Sequence, residues 1–297
     1  MGRIRGGFDH QDGERRVELE MPELFQNLDN YAKIISLVVL VVLLAWETVL
    51  PCYAFFTNHL KSRVFHGAIN FVLTIVNALL IGLVYTSLWL NSAVWASNHG
   101  FGLLNLLSLP LWLDTVIAIL LFDIWTYWWH RISHVIPMLW RFHRIHHSDL
   151  KMDVTTANRF HFGEITISSL LRIPIILLIG ADIWQLALYE ALMFPVVQFQ
   201  HANVRLPEKI DRLIRIFLTS PAMHKVHHSD YYKETNSNYT SLLSVWDRLF
   251  GSFRTRKDLE NIRMGLKEFR SEEEQTLTAL LKNPMLSVKQ NFKKDSD

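Results

Sequence analysis

Three long stretches of the chain are almost free of charged residues. They are KIISLVVLVVLLAWETVLPCYAFF at 33–56, GAINFVLTIVNALLIGLVYTSLWL at 67–90 and LPLWLDTVIAILLFDIWTYWW at 109–129. About 20 consecutive apolar residues cross the hydrocarbon core of a bilayer as a helix, so each stretch predicts a transmembrane helix. The alternative, three buried helices in a large soluble core, is disfavoured because helices that are apolar on every side are rare in soluble domains.

A second pair of apolar segments follows, at 165–180 and 183–199. Each is at or below spanning length and carries one charged residue and one proline, and the tight connector Gly180-Ala181-Asp182 joins them. The pair predicts either a full transmembrane hairpin or a re-entrant one, and the pattern leaves both open. The fold expected is therefore an all-α, polytopic membrane bundle of four or five segments in hairpins.

Basic residues are distributed unevenly around these segments. Lys and Arg are missing from 91–108 but frequent in 130–163 and 201–233. Because cytoplasmic loops carry an excess of Lys and Arg, the latter two stretches are expected to face the cytoplasm. The orientation of the N-terminus stays open, since Arg3, Arg5, Arg15 and Arg16 favour the inside while Lys61 and Arg63 compete for the same side across the first helix.

Composition limits the remaining possibilities. A net charge of +2 favours no nucleic-acid partner, and a single cysteine excludes an intrachain disulfide. No secretory signal peptide is expected, because the first 30 residues are charged. The predicted organisation is a polar N-terminal segment at 1–30, a transmembrane hairpin region at 31–108, a catalytic domain at 109–254 and a polar tail at 255–297 with a short helix capped at Ser271.

Ten of the 14 histidines lie between residues 130 and 228. They form an HxxxH pair and two HxxHH blocks, with two single histidines between the blocks. Spacings of three and four place imidazoles one helical turn apart, close enough to bind one metal ion. The candidate ligands are His130, His134, His143, His146, His147, His161, His201, His224, His227 and His228.

So many imidazoles exceed the ligand shell of one ion, and two metals are expected in a helical cap on the cytosolic side. Imidazole suits Zn, Cu, Fe and Ni, and the blocks contain no thiolate, so ligand type alone does not choose the metal. The isolated histidines His10, His59, His66 and His99 are expected to be surface or helix-end residues.

Several polar residues are candidates to orient these imidazoles. Asp123 shares a helical stripe with His130 and His134 and lies within a predicted membrane helix, where acids are costly and usually functional. Asp149 and Asp230 each follow an HxxHH block by two residues. All three are predicted to accept hydrogen bonds from imidazole N–H groups, with Arg131 or Arg144 as alternative partners of Asp123.

The blocks HRISH, HRIHH and HKVHH, in that order after apolar hairpins, resemble the three histidine boxes of the sterol desaturase and fatty acid hydroxylase superfamily. The resemblance covers roughly residues 110–254 and extends to HANVRLPEKIDRL and ETNSNYTSLLSVWDRLFGSF. It implies the eight box histidines as ligands, completed by His201 and His161. Val197 stands where relatives carry a further histidine, which implies that water, His161 or the Asn203 amide completes one metal.

The resemblance also implies an activity. Members are integral-membrane, non-haem di-iron enzymes that use O2, so we expect two iron ions, a membrane lipid substrate such as a sterol or fatty acyl chain, and either hydroxylation or desaturation. No GxGxxG or CxxCH is present, so a reductase or small electron carrier is expected to supply electrons. The alternatives are a membrane zinc hydrolase, which lacks its HExxH here, and a histidine-rich metal-binding, transport or di-haem protein.

Overall fold

The computed structural model describes residues 10–56, 59–107 and 109–287, and the side chains from residue 30 onward together with that of residue 28. Within these residues the chain is all helical, and its only β-type pairings are three isolated bridges. A π-helical turn at Ile81–Tyr85 continues α2 into α3, so that the two form one long rod. The α-helices are α1 His10–Val49, α2 Leu60–Leu80, α3 Thr86–Asn98, α4 Leu103–Leu107, α5 Leu111–Val135, α6 Pro137–His147, α7 Phe162–Ile179, α8 Ile183–His201, α9 Glu208–Phe217, α10 Pro221–His227, α11 Tyr232–Thr235, α12 Val245–Leu249 and α13 Leu277–Lys282.

Four helical stretches are long and apolar enough to cross a membrane. They are Asn30–Val49, Leu60–Leu107, Leu111–Val135 and Phe162–Ile179. Most of their side chains face outward, as expected for helices solvated by lipid. The predicted all-α membrane bundle is confirmed, and by the length and composition of these helices the chain is an integral membrane protein.

The pair α7 and α8 forms a helical hairpin, of which α7 is long and apolar enough to cross a membrane and α8 is not among the candidate spans. Its connector meets the loop before α4, where the Asn105 amide donates to the Gly180 carbonyl at 3.2 Å. Gly102 and Gly180 both have positive φ, and a Cβ on Gly102 would lie 2.4 Å from the Gly180 Cα atom, so neither position has room for a side chain. Gln185 donates to Asp114 in the first turn of α5 at 2.7 Å. The hairpin therefore reaches the end of the bundle where α5 begins, which we call the connector end.

The opposite end of the bundle carries the histidine blocks, and we call it the histidine end. The loop after α1 lies here, because Pro51 forms a bridge with Val204 and the Tyr53 backbone N–H donates to Asn203 Oδ1 at 2.9 Å. Arg63, at the start of α2, shares this end. Of the competing basic residues, Arg3 and Arg5 lie outside the described residues, and Arg15 and Arg16 lie in α1 before its membrane-spanning part.

Both segments predicted to be polar, 1–30 and 255–297, contain helix. The segment 1–30 is helical from His10, and its residues 1–9 lie outside the described part of the chain. The tail folds back so that Leu280 packs with Ile145 of α6 in one apolar cluster, and its residues 288–297 lie outside the described part. Ser271 and Glu274 do exchange capping hydrogen bonds, but the α-helix begins six residues after Ser271 with its cap at Thr276. The predicted start of that helix was wrong.

Candidate metal centre

Nine of the ten candidate histidines gather into two adjacent groups at the histidine end. Within each group the nitrogen atoms offered by the imidazoles all lie within 4.8 Å of one another. The five-histidine group consists of His130, His134, His143, His147 and His227, and the four-histidine group consists of His146, His201, His224 and His228. Each group could hold one metal ion.

Helical spacing explains how the two HxxHH blocks divide between the groups. In α6, His143 and His147 are four residues apart and enter the five-histidine group, while His146 between them enters the other. In the third block the outer pair, His224 and His228, joins the four-histidine group and His227 crosses to the first. Residues at i and i+4 lie on one side of a helical stripe and the residue at i+3 on the other, so each block contributes to both sites.

The orientation of the imidazoles fits cations better than hydrogen bonding. The Nδ1 atoms of His130 and His227 donate to the backbone carbonyls of Tyr239 and Ser237, at 2.7 and 2.6 Å. A neutral imidazole that donates through Nδ1 has only a lone pair at Nε2. The two Nε2 atoms nevertheless lie 3.0 Å apart, so lone pair faces lone pair. A cation shared by the group resolves that repulsion.

In the four-histidine group the Nε2 atoms also converge on one point. His201 donates from Nδ1 to the carbonyl of Val197 at 2.7 Å, which leaves a lone pair on its Nε2. That atom lies 3.1 Å from Nε2 of His146 and 2.9 Å from Nε2 of His224. Val197, noted in the sequence as a missing histidine, thus orients the candidate ligand His201 through its backbone carbonyl.

Several imidazole nitrogens are buried without any partner. Neither nitrogen of His134 or His147 makes a hydrogen bond, nor does His143 Nε2. An unpaired buried polar atom costs about 1–3 kcal/mol. This many in one place, all of one donor type, fits a site built for metal ions.

Burial also sets the protonation state of the ligands. Desolvation, aided by the neighbouring imidazoles, holds the pKa of His146, His147, His224, His227 and His228 well below the usual value. These side chains are therefore neutral at physiological pH, with a lone pair free to bind a cation.

One carboxylate directly orients a ligand. His143 donates from Nδ1 to Glu164 Oε1 at 2.7 Å, and both side chains are buried. Glu164 lies in the first turn of α7, opposite α6. Such a carboxylate fixes the imidazole tautomer and increases its basicity.

His161, the tenth candidate, lies outside both groups. Its Nδ1 accepts from the Gly163 backbone N–H at 2.9 Å, capping α7, and its Nε2 donates to the Leu281 carbonyl at 3.3 Å. Both nitrogens of the neutral ring are used, so no lone pair remains for a metal. Asn203 is also committed elsewhere, since its side chain binds the backbone N–H and carbonyl of Tyr53.

The three aspartates do not contact the grouped imidazoles, which corrects their predicted role. Asp123 accepts from Trp246 Nε1 at 2.7 Å, the Leu243 N–H at 3.1 Å and the Tyr189 hydroxyl at 3.2 Å, so it joins α5, α8 and the segment before α12. Neither Arg131 nor Arg144 is its partner. Asp230 lies beside two arginines of the tail, Arg263 at 3.5 Å and Arg270 at 3.8 Å.

Asp149 does meet a histidine, but it is His66 of α2. The His66 Nε2 atom lies 2.9 Å from Asp149 Oδ2, and the Thr156 hydroxyl donates to the same oxygen at 2.7 Å. Burial alone would raise the pKa of Asp149, but His66 and Arg159 outweigh it and hold that pKa far below the usual range. The expectation that His66 is a surface residue was wrong.

The sequence contained a signal for the polar residues of α2 that support the loop between α6 and α7, and this signal was missed. His66, Asn70 and Asn77 fall at i, i+4 and i+11 on an otherwise apolar helix, which places them on one face. Asn70 donates to the Thr155 hydroxyl at 2.8 Å and Asn77 to the Phe160 carbonyl at 2.9 Å. Together they hold the loop between α6 and α7, directly beside the second histidine block.

Comparison with known proteins places the site in a family. Residues 115–252 match the model of the fatty acid hydroxylase family. The chain is 34% identical over 145 residues to ornithine lipid hydroxylase OlsE of Rhizobium tropici, covering 48% of this chain and 43% of that protein. Human alkylglycerol monooxygenase is 30% identical over 139 residues, covering 46% of this chain and 29% of the relative. Mouse cholesterol 25-hydroxylase is 23% identical over 169 residues, 56% and 54% of the two chains.

No solved structure matches the chain. The chain spans about half or less of the length of these curated relatives, and the region that matches the family model contains all three histidine boxes. The resemblance read from the boxes is confirmed: residues 115–252 match the fatty acid hydroxylase family, and this match, together with the relatives named above, fits the sterol desaturase and fatty acid hydroxylase superfamily.

Proposed function

We propose that this protein is a membrane-bound, non-haem di-iron oxygenase that hydroxylates a lipid with O2 and external electrons. The observation that carries the proposal is the pair of buried histidine groups whose ring nitrogens converge at the end of a membrane bundle, with lone pairs facing each other between His130 and His227. A zinc hydrolase needs one ion with three or four ligands, and haem needs histidines on facing helices. Neither uses nine imidazoles in two adjacent groups.

The nine grouped histidines are the proposed ligands, five for one ion and four for the other. Bound iron would supply the redox chemistry needed to reduce O2 and to break an unactivated C–H bond. The chain itself supplies neutral imidazoles, excludes water by burial, and fixes ligand orientation through Glu164 and the carbonyls of Val197, Ser237 and Tyr239.

Hydroxylation is favoured over desaturation because the relatives are named hydroxylases and monooxygenases of ornithine lipid, alkylglycerol and cholesterol. The overall reaction inserts one oxygen atom of O2 into a C–H bond and releases the other as water, which consumes two electrons and two protons. Since the substrate supplies only the C–H bond, a reductase or small electron carrier must deliver both electrons.

The proposed active site faces the cytoplasm, where such carriers are reduced. Support comes from the basic residues at the histidine end, which the positive-inside rule assigns to the cytoplasmic side. Arg63 lies at this end together with the loops of 130–163 and 201–233, and the connector-end loop 99–110 has no Lys or Arg.

We also propose residues 109–254 as the catalytic domain.

The experiment is comparative lipid mass spectrometry of cells that express the chain. The wild type should produce a lipid heavier than its precursor by one oxygen atom, and growth under 18O2 should label it. His146→Ala and His227→Ala, one variant from each group, should abolish the product while His99→Gln, a control outside both groups that stacks on Trp95, keeps it. A product lighter by two hydrogens would show desaturation instead, and the same new lipid from His146→Ala and His227→Ala would refute the site.

A further inference from the structure

The short helix α9 presents an apolar stripe to the outside of the protein. Ile210, Leu213, Ile216 and Phe217 are each half or more exposed, with Leu213 at 63% and Phe217 at 66%. Their spacing of three and four places them along one side of the helix. The opposite side carries Asp211, which is buried and paired with Arg215 at 2.8 Å.

The helix α12 extends this stripe into a larger apolar surface. Leu249 is 65% exposed and Val245 is exposed beside it. The two helices are joined by the bridge between Leu218 and Leu243 and by the Ser244 N–H, which donates to the Phe217 carbonyl at 3.0 Å. We call the exposed side chains of both helices the α9–α12 face: Ile210, Leu213, Ile216, Phe217, Val245 and Leu249.

The α9–α12 face lies beside a membrane-spanning helix, rather than beyond the end of that helix at the histidine end. The Leu243 N–H and Trp246 Nε1 both bind Asp123, which precedes His130 by seven residues in α5. At 1.5 Å per residue, this contact lies roughly 10 Å along α5 from the His130 level, towards the connector end. The segment before α12 therefore extends down the side of a helix that crosses the bilayer.

The face is also continuous with the lipid-facing surface of α5. Phe250, directly after α12, packs against Trp128 with ring centroids 5.0 Å apart, and Trp128 is itself exposed. Backbone at membrane depth must satisfy its own hydrogen bonds, and the bridge with its flanking bonds does so here. An exposed apolar stripe of this size in water would be an aggregation hazard, whereas in lipid it is stabilising.

From these contacts we propose that the α9–α12 face is immersed in the hydrocarbon of the bilayer leaflet at the histidine end. It forms a non-spanning membrane anchor that holds the metal groups at the lipid boundary. Lipid acyl chains cover the α9–α12 face, and no other protein is needed to cover it. The inference rests on the membrane-spanning helices and is independent of the proposed oxygenase activity.

The test uses the full chain in lipid nanodiscs and exploits its single cysteine. In a Cys52→Ser background, Leu213→Cys is labelled with an environment-sensitive fluorophore, and Arg212→Cys is the matched control one residue away. Arg212 has a side chain that is 71% exposed and projects from the helix about 100° from Leu213. Leu249→Cys probes the second helix, and size-exclusion profiles and melting temperatures check that each variant folds like its parent.

We expect blue-shifted emission from the labels at Leu213 and Leu249, with most of it quenched by doxyl-labelled phospholipids in the nanodisc. The label at Arg212 should emit as in water and stay largely unquenched by the lipid. Red-shifted, unquenched emission at Leu213 and Leu249 would overturn the proposal. So would blue-shifted emission that doxyl lipids fail to quench and that weakens on dilution to one chain per disc, because a second copy would then cover the face.

Discussion

The Glu164→Gln substitution tests how the structure orients its metal ligands. Glu164 accepts a hydrogen bond from His143 Nδ1 at 2.7 Å, in a setting where both side chains are buried. Glutamine keeps the size of the side chain and one acceptor oxygen but removes the negative charge. His143 then has a weaker acceptor, so the substitution isolates the charge-assisted part of this contact.

The expected magnitude follows from the strength of that bond. A buried hydrogen bond to a charged group is worth about 1.5–3 kcal/mol, and each 1.4 kcal/mol changes an equilibrium constant about tenfold. The affinity of the five-histidine group for iron should therefore fall by about 10- to 100-fold, the range typical of carboxylates behind metal ligands. The four-histidine group has no contact with Glu164 and should keep its ion.

The assay is competition with a chelator followed by iron analysis of the desalted protein. Wild type should hold two ions at a chelator concentration that leaves Glu164→Gln with about one, in line with the affinity loss above. The matched control is Glu190→Gln, an acid of α8 that pairs with Arg172 and touches no histidine. It should lose thermal stability but keep its iron, whereas equal retention of both ions by Glu164→Gln and wild type would refute the reasoning.

The remaining predictions concern stability and pH. Asp123→Leu leaves the Leu243 N–H and Trp246 Nε1 without their acceptor, while the Tyr189 hydroxyl keeps Thr126 at 2.8 Å, and should cost about 2 kcal/mol or more, against about 1 kcal/mol for Trp246→Phe, measured as the loss of melting temperature in detergent. Arg144→Leu removes the hydrogen bonds to Asn283 and should release the tail to limited proteolysis, while Arg141→Leu, an exposed neighbour, should not; equal cleavage of both variants would contradict this. For metal-free protein, the free energy of unfolding should fall as pH drops below about 6.5. In the unfolded chain the histidines bind protons in this range, whereas in the folded chain burial keeps them neutral. A flat melting temperature from pH 7.5 to 5.5 would contradict the assignment.

The sequence predicted which histidines gather at one place because helical spacing is local. His143, His146 and His147 must lie on neighbouring positions of one helix surface whatever the rest of the chain does. The separation of each HxxHH block into two groups was not predicted, because it depends on how α5, α8 and α10 surround α6. His161 shows the same limit, since only the tertiary structure reveals that the Leu281 carbonyl and the Gly163 N–H occupy both of its nitrogens.

The supporting carboxylates were harder to predict because their partners are distant in sequence. Asp149 follows a histidine block by two residues, yet its partner His66 lies 83 residues earlier. Asp123 shares a helical stripe with His130, but it accepts its hydrogen bond from Trp246, which lies 123 residues later. A position near a ligand in sequence therefore identified residues that matter to the fold without identifying what they bind.

The central claim is that nine imidazoles hold two iron ions. The most direct measurement is metal analysis of the purified, detergent-solubilised chain, combined with an optical spectrum and with X-ray absorption at the iron edge. The account predicts two irons per chain, nitrogen ligation typical of imidazole, no Soret band, and loss of one iron from His134→Ala and of one from His201→Ala. A single zinc, a haem spectrum, or unchanged iron content in both variants would contradict it.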